Sequence, residues 1–186
     1  MDNKNIKVLL FFVEGFEELE AMAPVDLLRR AGIEVDTVSI TQDKHVISSR
    51  KITVLADKII DDVDFEEYKM LVLPGGPGTD NYMKSKKLLE KVKEFSERKK
   101  VAAICAAPTI LSRLGILKGK KAICFPSCEE EIVEKGAVLT KENVVTDGNI
   151  ITSRGAGTAI DFALEIIREL EGKEKSQKIA KQIVYK

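Results

Sequence analysis

The chain has no tryptophan, one histidine and three cysteines among 186 residues, and its 30 basic residues are matched by 30 acidic ones. Each scarcity excludes something. A net charge of zero leaves no overall field to gather nucleic acid, an anionic membrane surface or an acidic partner, so no specific nucleic-acid binding is expected. The longest apolar run near the amino terminus, Val8 to Val13, is too short for a signal-peptide core or a membrane span, and a cytoplasmic protein without membrane attachment is expected. Cys105, Cys124 and Cys128 make an odd count with no dense framework, which suits free thiols in a reducing compartment. Cys124 and Cys128 could supply two thiolates, but no second Cys/His pair stands nearby to complete tetrahedral zinc, and no metal or cofactor is expected. Neither GxGxxG nor GxxxxGK[ST] occurs, which weakens a nucleotide-binding reading.

What is present is an alternation of short apolar runs with helical patterns. "IKVLLFFV" (6–13), "EELEAMAPVDLLRRAG" (17–32) and "IEVDTVSI" (33–40) read as strand, helix and strand. In the helix, Leu19, Met22, Ala23, Leu27 and Leu28 recur at helical spacing, Pro24 is expected to bend it, and Gly32 caps it. "MLVLPGG" (70–76) and "VAAI" (101–104) are further strands, with helices expected over 85–100 and 106–115. Then come a strand "KAICF" (121–125), an acidic segment, a hairpin over 143–153 turning at Asp147-Gly148, and helices over 158–171 and 174–184. The expectation is one α/β domain over 1–186, a doubly wound, mostly parallel sheet flanked by helices.

In such sheets ligands bind beyond the carboxyl ends of the strands, which singles out the loops 14–20, 74–81 and 105–108. Cys105 ends a strand and starts a helix there. Free helix amides and the helix dipole beside it favour an anion, which predicts more thiolate than a free cysteine carries. Position alone equally allows a buried cysteine acting as a small hydrophobe.

"EGFEELEAMAPVDLLRRAG" (14–32), "LPGG" (73–76), "AAICAAP" (102–108) and "TSRGAGTAIDFALEII" (152–167) together resemble the ThiJ/PfpI family, which has the class I glutamine-amidotransferase-like fold and includes the Parkinson-disease-linked deglycase. The resemblance implies a homodimer with an oxidisable nucleophile at Cys105 and a protonated glutamate at Glu20 close to its sulfur. Glu17 and Glu18 stand in the same turn of chain, and helix-start charge would favour all three. Gly75, Gly76 and the amide of Ala106 resemble the family's oxyanion-binding backbone donors. Arg50, Arg30 and Arg154 resemble arginines that gather near the site, Arg30 from the second subunit.

The pattern departs from several members in one respect: Ala106 follows Cys105, and Phe125 stands where others carry a histidine. Without that base, proteolysis and a Cys-His-Glu glutaminase are excluded. The resemblance then implies a glyoxalase or deglycase, with a small reactive carbonyl or a glycated protein or nucleotide as substrate. The alternative is a redox sensor or chaperone in which Cys105 oxidises to a sulfinate. For Cys124, a resolving thiol and plain core packing are the two readings.

Overall fold

The computed structural model describes residues 6–185; the outermost residues of the expected domain, 1–5 and 186, lie outside this range. The first described elements are β1 (Lys7–Phe12), α1 (Glu18–Arg30) and β2 (Glu34–Ser39). A short hairpin of β3 (His45–Ile47) and β4 (Thr53–Leu55) precedes β5 (Lys58–Ile59), then β6 (Met70–Leu73), α2 (Lys86–Arg98), β7 (Lys100–Ile104) and α3 (Pro108–Arg113) follow. The remainder is β8 (Lys121–Ala122), α4 (Glu129–Glu134), β9 (Val138–Leu139), β10 (Val144–Asp147), β11 (Ile150–Ser153), α5 (Ala159–Glu171) and α6 (Lys173–Gln182).

Among the described residues seven strands form one sheet in the order β10-β11-β7-β6-β1-β2-β5, parallel throughout except for the edge strand β10. Val8 to Leu10, Met70 to Leu73 and Val101 to Ile104 are fully buried, as strands covered on both faces must be. This is the mixed, mostly parallel sheet flanked by helices that the alternation predicts. The chain leaves β1 towards β2 on one side and returns as β6 on the other, so the topology switches between β1 and β6.

Three local expectations need correction. The run 121–125 forms a strand only at Lys121–Ala122, which pairs with β9 in a separate two-stranded sheet. Beyond it the Ile123 amide donates to Thr152 Oγ1 (3.0 Å) and the Phe125 amide to the Cys105 carbonyl (2.7 Å), so the backbone is spent on loop contacts. The helix expected from residue 106 starts at Pro108, because residues 105–107 form a sharp turn. On α1, Ala21, Leu27 and Leu28 are buried, whereas Leu19 and Met22 of the apolar stripe face outward.

Candidate active site

The loops after β1, β6 and β7 meet at the carboxyl edge of the sheet. The first two are laced together: the Glu17 amide donates to the Gly75 carbonyl (2.9 Å) and the Gly78 amide to the Gly15 carbonyl (3.0 Å). Contact is so close that a Cβ on Gly78 would lie 1.8 Å from the Glu14 carbonyl oxygen. At Gly76, φ is +111°, and a Cβ would lie 2.6 Å from the Glu17 amide nitrogen, so this turn requires glycine twice over.

Cys105 follows β7 in the left-handed region, with φ +65°. That conformation costs a non-glycine residue on the order of 1 kcal/mol and marks a constrained turn. Its amide donates to the Ser153 carbonyl (2.9 Å), and the Ala107 amide to the Ile104 carbonyl (3.0 Å). The residue is only 9% exposed, so its thiol is nearly enclosed.

Glu17, Glu18 and Glu20, which the sequence left as alternatives, have separate employment. Glu17 caps α1, its Oε2 accepting the Glu20 amide (2.9 Å). Glu18 accepts from the Ser48 and Ser49 hydroxyls and from the Arg50 amide (2.7 Å), and these hydrogen bonds hold its carboxyl below the usual range against the opposing effect of its burial. Glu20, only 1% exposed, is the one that reaches the thiol. Its Oε2 accepts the Gly75 amide (2.8 Å), and its buried Oε1 has no conventional hydrogen-bond partner among the described residues.

Burial pushes the Glu20 carboxyl up to about 7, against the lowering effect of its hydrogen bonds with Cys105 and Gly75. Burial also drives the Cys105 thiol well above its ordinary value, and the Glu20 charge and hydrogen bond add to this. The amides of Ala106 and Gly76 act on the sulfur in the opposite sense and are outweighed. The expectation of a thiol made acidic by helix amides is therefore reversed. Two neighbouring acids share one buried site, and they titrate as a pair: whichever ionises first suppresses the other.

Of the three backbone donors expected at the sulfur, Gly76 and Ala106 act there, while the Gly75 amide serves Glu20. The arginines are more scattered. Arg50 has its backbone fixed by Glu18 and an exposed side chain. Arg154 lies one residue past the carbonyl that anchors Cys105, but its guanidinium turns to Glu129 (3.7 Å). Arg30 pairs with Asp26 (2.9 Å), ten residues and about 15 Å along α1 from Glu20, so within its own chain it does not reach the thiol. Phe125, 45% exposed, places its ring against Gly155, and His45 is bonded to Asp43 at the exposed start of β3. Cys124 is fully buried and pushed up to about 12, chiefly by burial, which favours the core-packing reading. The roles of Ser153, Ser48 and Ser49 depend on contacts across 30 or more residues and carry no local sequence signal.

No helix among the described residues is long and apolar enough to cross a membrane. Residues 6–169 match the DJ-1/PfpI family. The chain is 39% identical to Protein dj-1beta of Drosophila melanogaster over 178 residues, 95% of each chain, and 35% identical to the Parkinson disease protein 7 homolog of Danio rerio over 184 residues, 97% of each. Among solved structures it resembles Drosophila melanogaster DJ-1beta with TM-score 0.93 and 37% identity, covering 98% of this chain and 99% of that one. It likewise resembles oxidized Toxoplasma gondii DJ-1 with TM-score 0.91 and 37% identity, covering 97% and 98%. With both the whole-length likeness and the elbow geometry in agreement, the chain belongs to the DJ-1/PfpI family.

Proposed function

We propose that this chain is a cysteine-dependent stress-response enzyme, a glyoxalase or deglycase acting through the Cys105–Glu20 pair. The observation that carries the reading is the buried Glu20 carboxyl set beside the Cys105 thiol at the elbow, where burial pushes it up to about 7. Such a group holds and releases protons at neutral pH, which is what an acid-base partner needs. When Glu20 keeps the proton, its charge no longer adds to the burial that holds Cys105 protonated, and a thiolate formed during attack would be met by the Gly76 and Ala106 amides.

The thiolate adds to the aldehyde carbon of methylglyoxal, forming a C–S bond, and Glu20 protonates the resulting alkoxide. Glu20, now a carboxylate, takes the hydrogen of that carbon as a proton and delivers it to the neighbouring carbonyl carbon, while the hydroxyl proton passes from the first oxygen to the second. The thioester formed is cleaved by water, which releases lactate and restores the thiol. A glycated amine, as its hemiaminal, enters the same sequence: the C–S bond forms as the C–N bond breaks, and Glu20 gives its proton to the departing nitrogen. The absence of an imidazole at Phe125 argues against peptide hydrolysis, where the thiol needs a dedicated base to attack an unactivated amide carbonyl.

Residues 1–186 act as one domain in this reading, and a second copy of the chain is its partner. Leu19 at 60% and Met22 at 38% exposure form an outward apolar stripe on α1, beside Ile183 and Val184. A dimer through that face would cover it and could bring Arg30 to the other copy's site. A sulfinate on Cys105 would meet the same Gly76, Ala106 and Glu20 groups, which supports the redox-sensor alternative.

The test is methylglyoxal loss and lactate appearance under reducing conditions for the wild type, Cys105→Ala and Glu20→Gln. Turnover lost in both variants supports the enzyme. A wild type as inert as Cys105→Ala refutes it and leaves the peroxide-dependent mass gain at Cys105 to decide for the sensor.

A further inference from the structure

Tyr82 is a wholly buried tyrosine in the short 3-10 segment Thr79–Lys84 behind the site, and neither reading of the function uses it. Its hydroxyl lies 2.9 Å from the Pro74 carbonyl oxygen and 3.1 Å from that of Phe11. Those two carbonyls stand just past the last paired residues of β1 and β6, Leu10 and Val72, where the strands part. Burial and the nearby Glu20 charge keep the phenol protonated far above neutral pH, so it donates under all working conditions.

The Pro74 carbonyl and the Gly75 amide belong to one planar peptide group. On one side that plane accepts from Tyr82; on the other it donates to Glu20 Oε2 at 2.8 Å. A donor on the carbonyl polarises the peptide and strengthens its N–H, and it also fixes the rotation of the plane. We propose that Tyr82 is a positioning residue of this site: through the Pro74–Gly75 peptide, its hydroxyl aims and strengthens the amide that holds the Glu20 carboxylate next to Cys105. The proposal rests on the Cys105–Glu20 pair being the working site, but its first readout does not require turnover.

The experiment measures the alkylation rate of Cys105 by iodoacetamide, read by peptide mass spectrometry, between pH 5 and 9 in the wild type and Tyr82→Phe. Phenylalanine keeps the ring and removes the donor. A weakened Gly75–Glu20 bond favours the neutral acid, so the inflection that Glu20 imposes near pH 7 should move up by roughly half to one unit. Methylglyoxal turnover at pH 7 should fall by about 3- to 10-fold, with KM within about twofold. Tyr68→Phe is the control. Tyr68 is equally buried, and its hydroxyl is bonded to Asp36 and Lys58 in a separate cluster, so its loss should lower stability without moving the inflection.

An unmoved inflection in folded Tyr82→Phe overturns the proposal, as does an equal shift in Tyr68→Phe. Should Tyr82→Phe fail to fold, 3-fluorotyrosine at position 82 gives the second test. This stronger donor should move the inflection down, and an upward or absent shift refutes the relay. If the inflection shifts while no form of the protein consumes methylglyoxal, the positioning role stands and the glyoxalase reading falls.

Discussion

Glu20→Gln keeps the shape of the side chain and removes its charge, so its effect on stability should depend on pH in a direction set by burial. In the folded chain the carboxyl is pushed up from about 4.5 to about 7. Between those values the folded state holds a proton that the unfolded chain has released. Stability therefore falls as pH rises through this window and levels off above it. At 1.36 kcal/mol per unit, the ionised Glu20 costs the folded state roughly 3 kcal/mol above pH 7, and nothing below pH 4.5. Glutamine still accepts the Gly75 amide and never ionises, so the variant escapes that cost. Urea unfolding of both proteins at several values from pH 5 to pH 8 should show the variant gaining on the wild type by about 2–3 kcal/mol across the series. In thermal unfolding, that gain corresponds to roughly 4–12 °C for a chain of this size. The variant should at the same time lose turnover. A stability gap that stays constant with pH, or closes as pH rises, would refute the placement of an ionising carboxyl in this buried site.

Gly75→Ala would put a methyl group 2.7 Å from the Ile104 carbonyl oxygen and 2.8 Å from Cys105 Cβ, so the elbow must shift. The expected result is about 1–3 kcal/mol lost in urea unfolding together with slowed alkylation of Cys105. Leu19→Asp places a charge on the outward apolar stripe of α1 and should raise the dissociation constant of a dimer at least tenfold in sedimentation equilibrium, while leaving the helix content of the isolated chain unchanged. Cys124, buried and pushed up to about 12, should stay unlabelled by iodoacetamide at pH 8 in the folded protein and become labelled in urea.

The order of the main elements was legible because β1, β6 and β7 are buried on both faces and read as unbroken apolar runs, while α2 and α5 carry clear helical periodicity. Short elements were not. β3, β4 and β5 span two or three residues with mixed burial, too few to show any period. Residues 123–125 look like strand and are not, because their amides serve Thr152 and Cys105, partners that no local pattern announces. The site divided the same way. A cysteine between a strand and a helix is visible in the order of residues. Which of three glutamates reaches it depends on Glu18 being taken by a turn about 30 residues away, and on Glu17 folding back to cap its own helix.

The reversal at Cys105 bears on how such a site can be both stable and reactive. Helix amides alone would make a permanent thiolate, open to peroxide at all times. Burial beside Glu20 instead limits the pair to at most about one charge near neutral pH, held on the carboxylate at rest and reaching sulfur only as the thiol proton moves away. A carbonyl compound that draws out the sulfur anion also leaves the proton on Glu20, where the alkoxide next needs it. Peroxide reacts with the same thiolate, and it has no comparable need for the acid until an oxygen is expelled. The two readings therefore part in the Glu20→Gln protein, which lacks the charge that suppresses the thiolate and the proton that completes addition. Oxidation of Cys105 should be as fast as in the wild type or faster, and lactate formation should be lost; equal loss of both would mean that Glu20 serves the nucleophile itself rather than the proton transfer that follows.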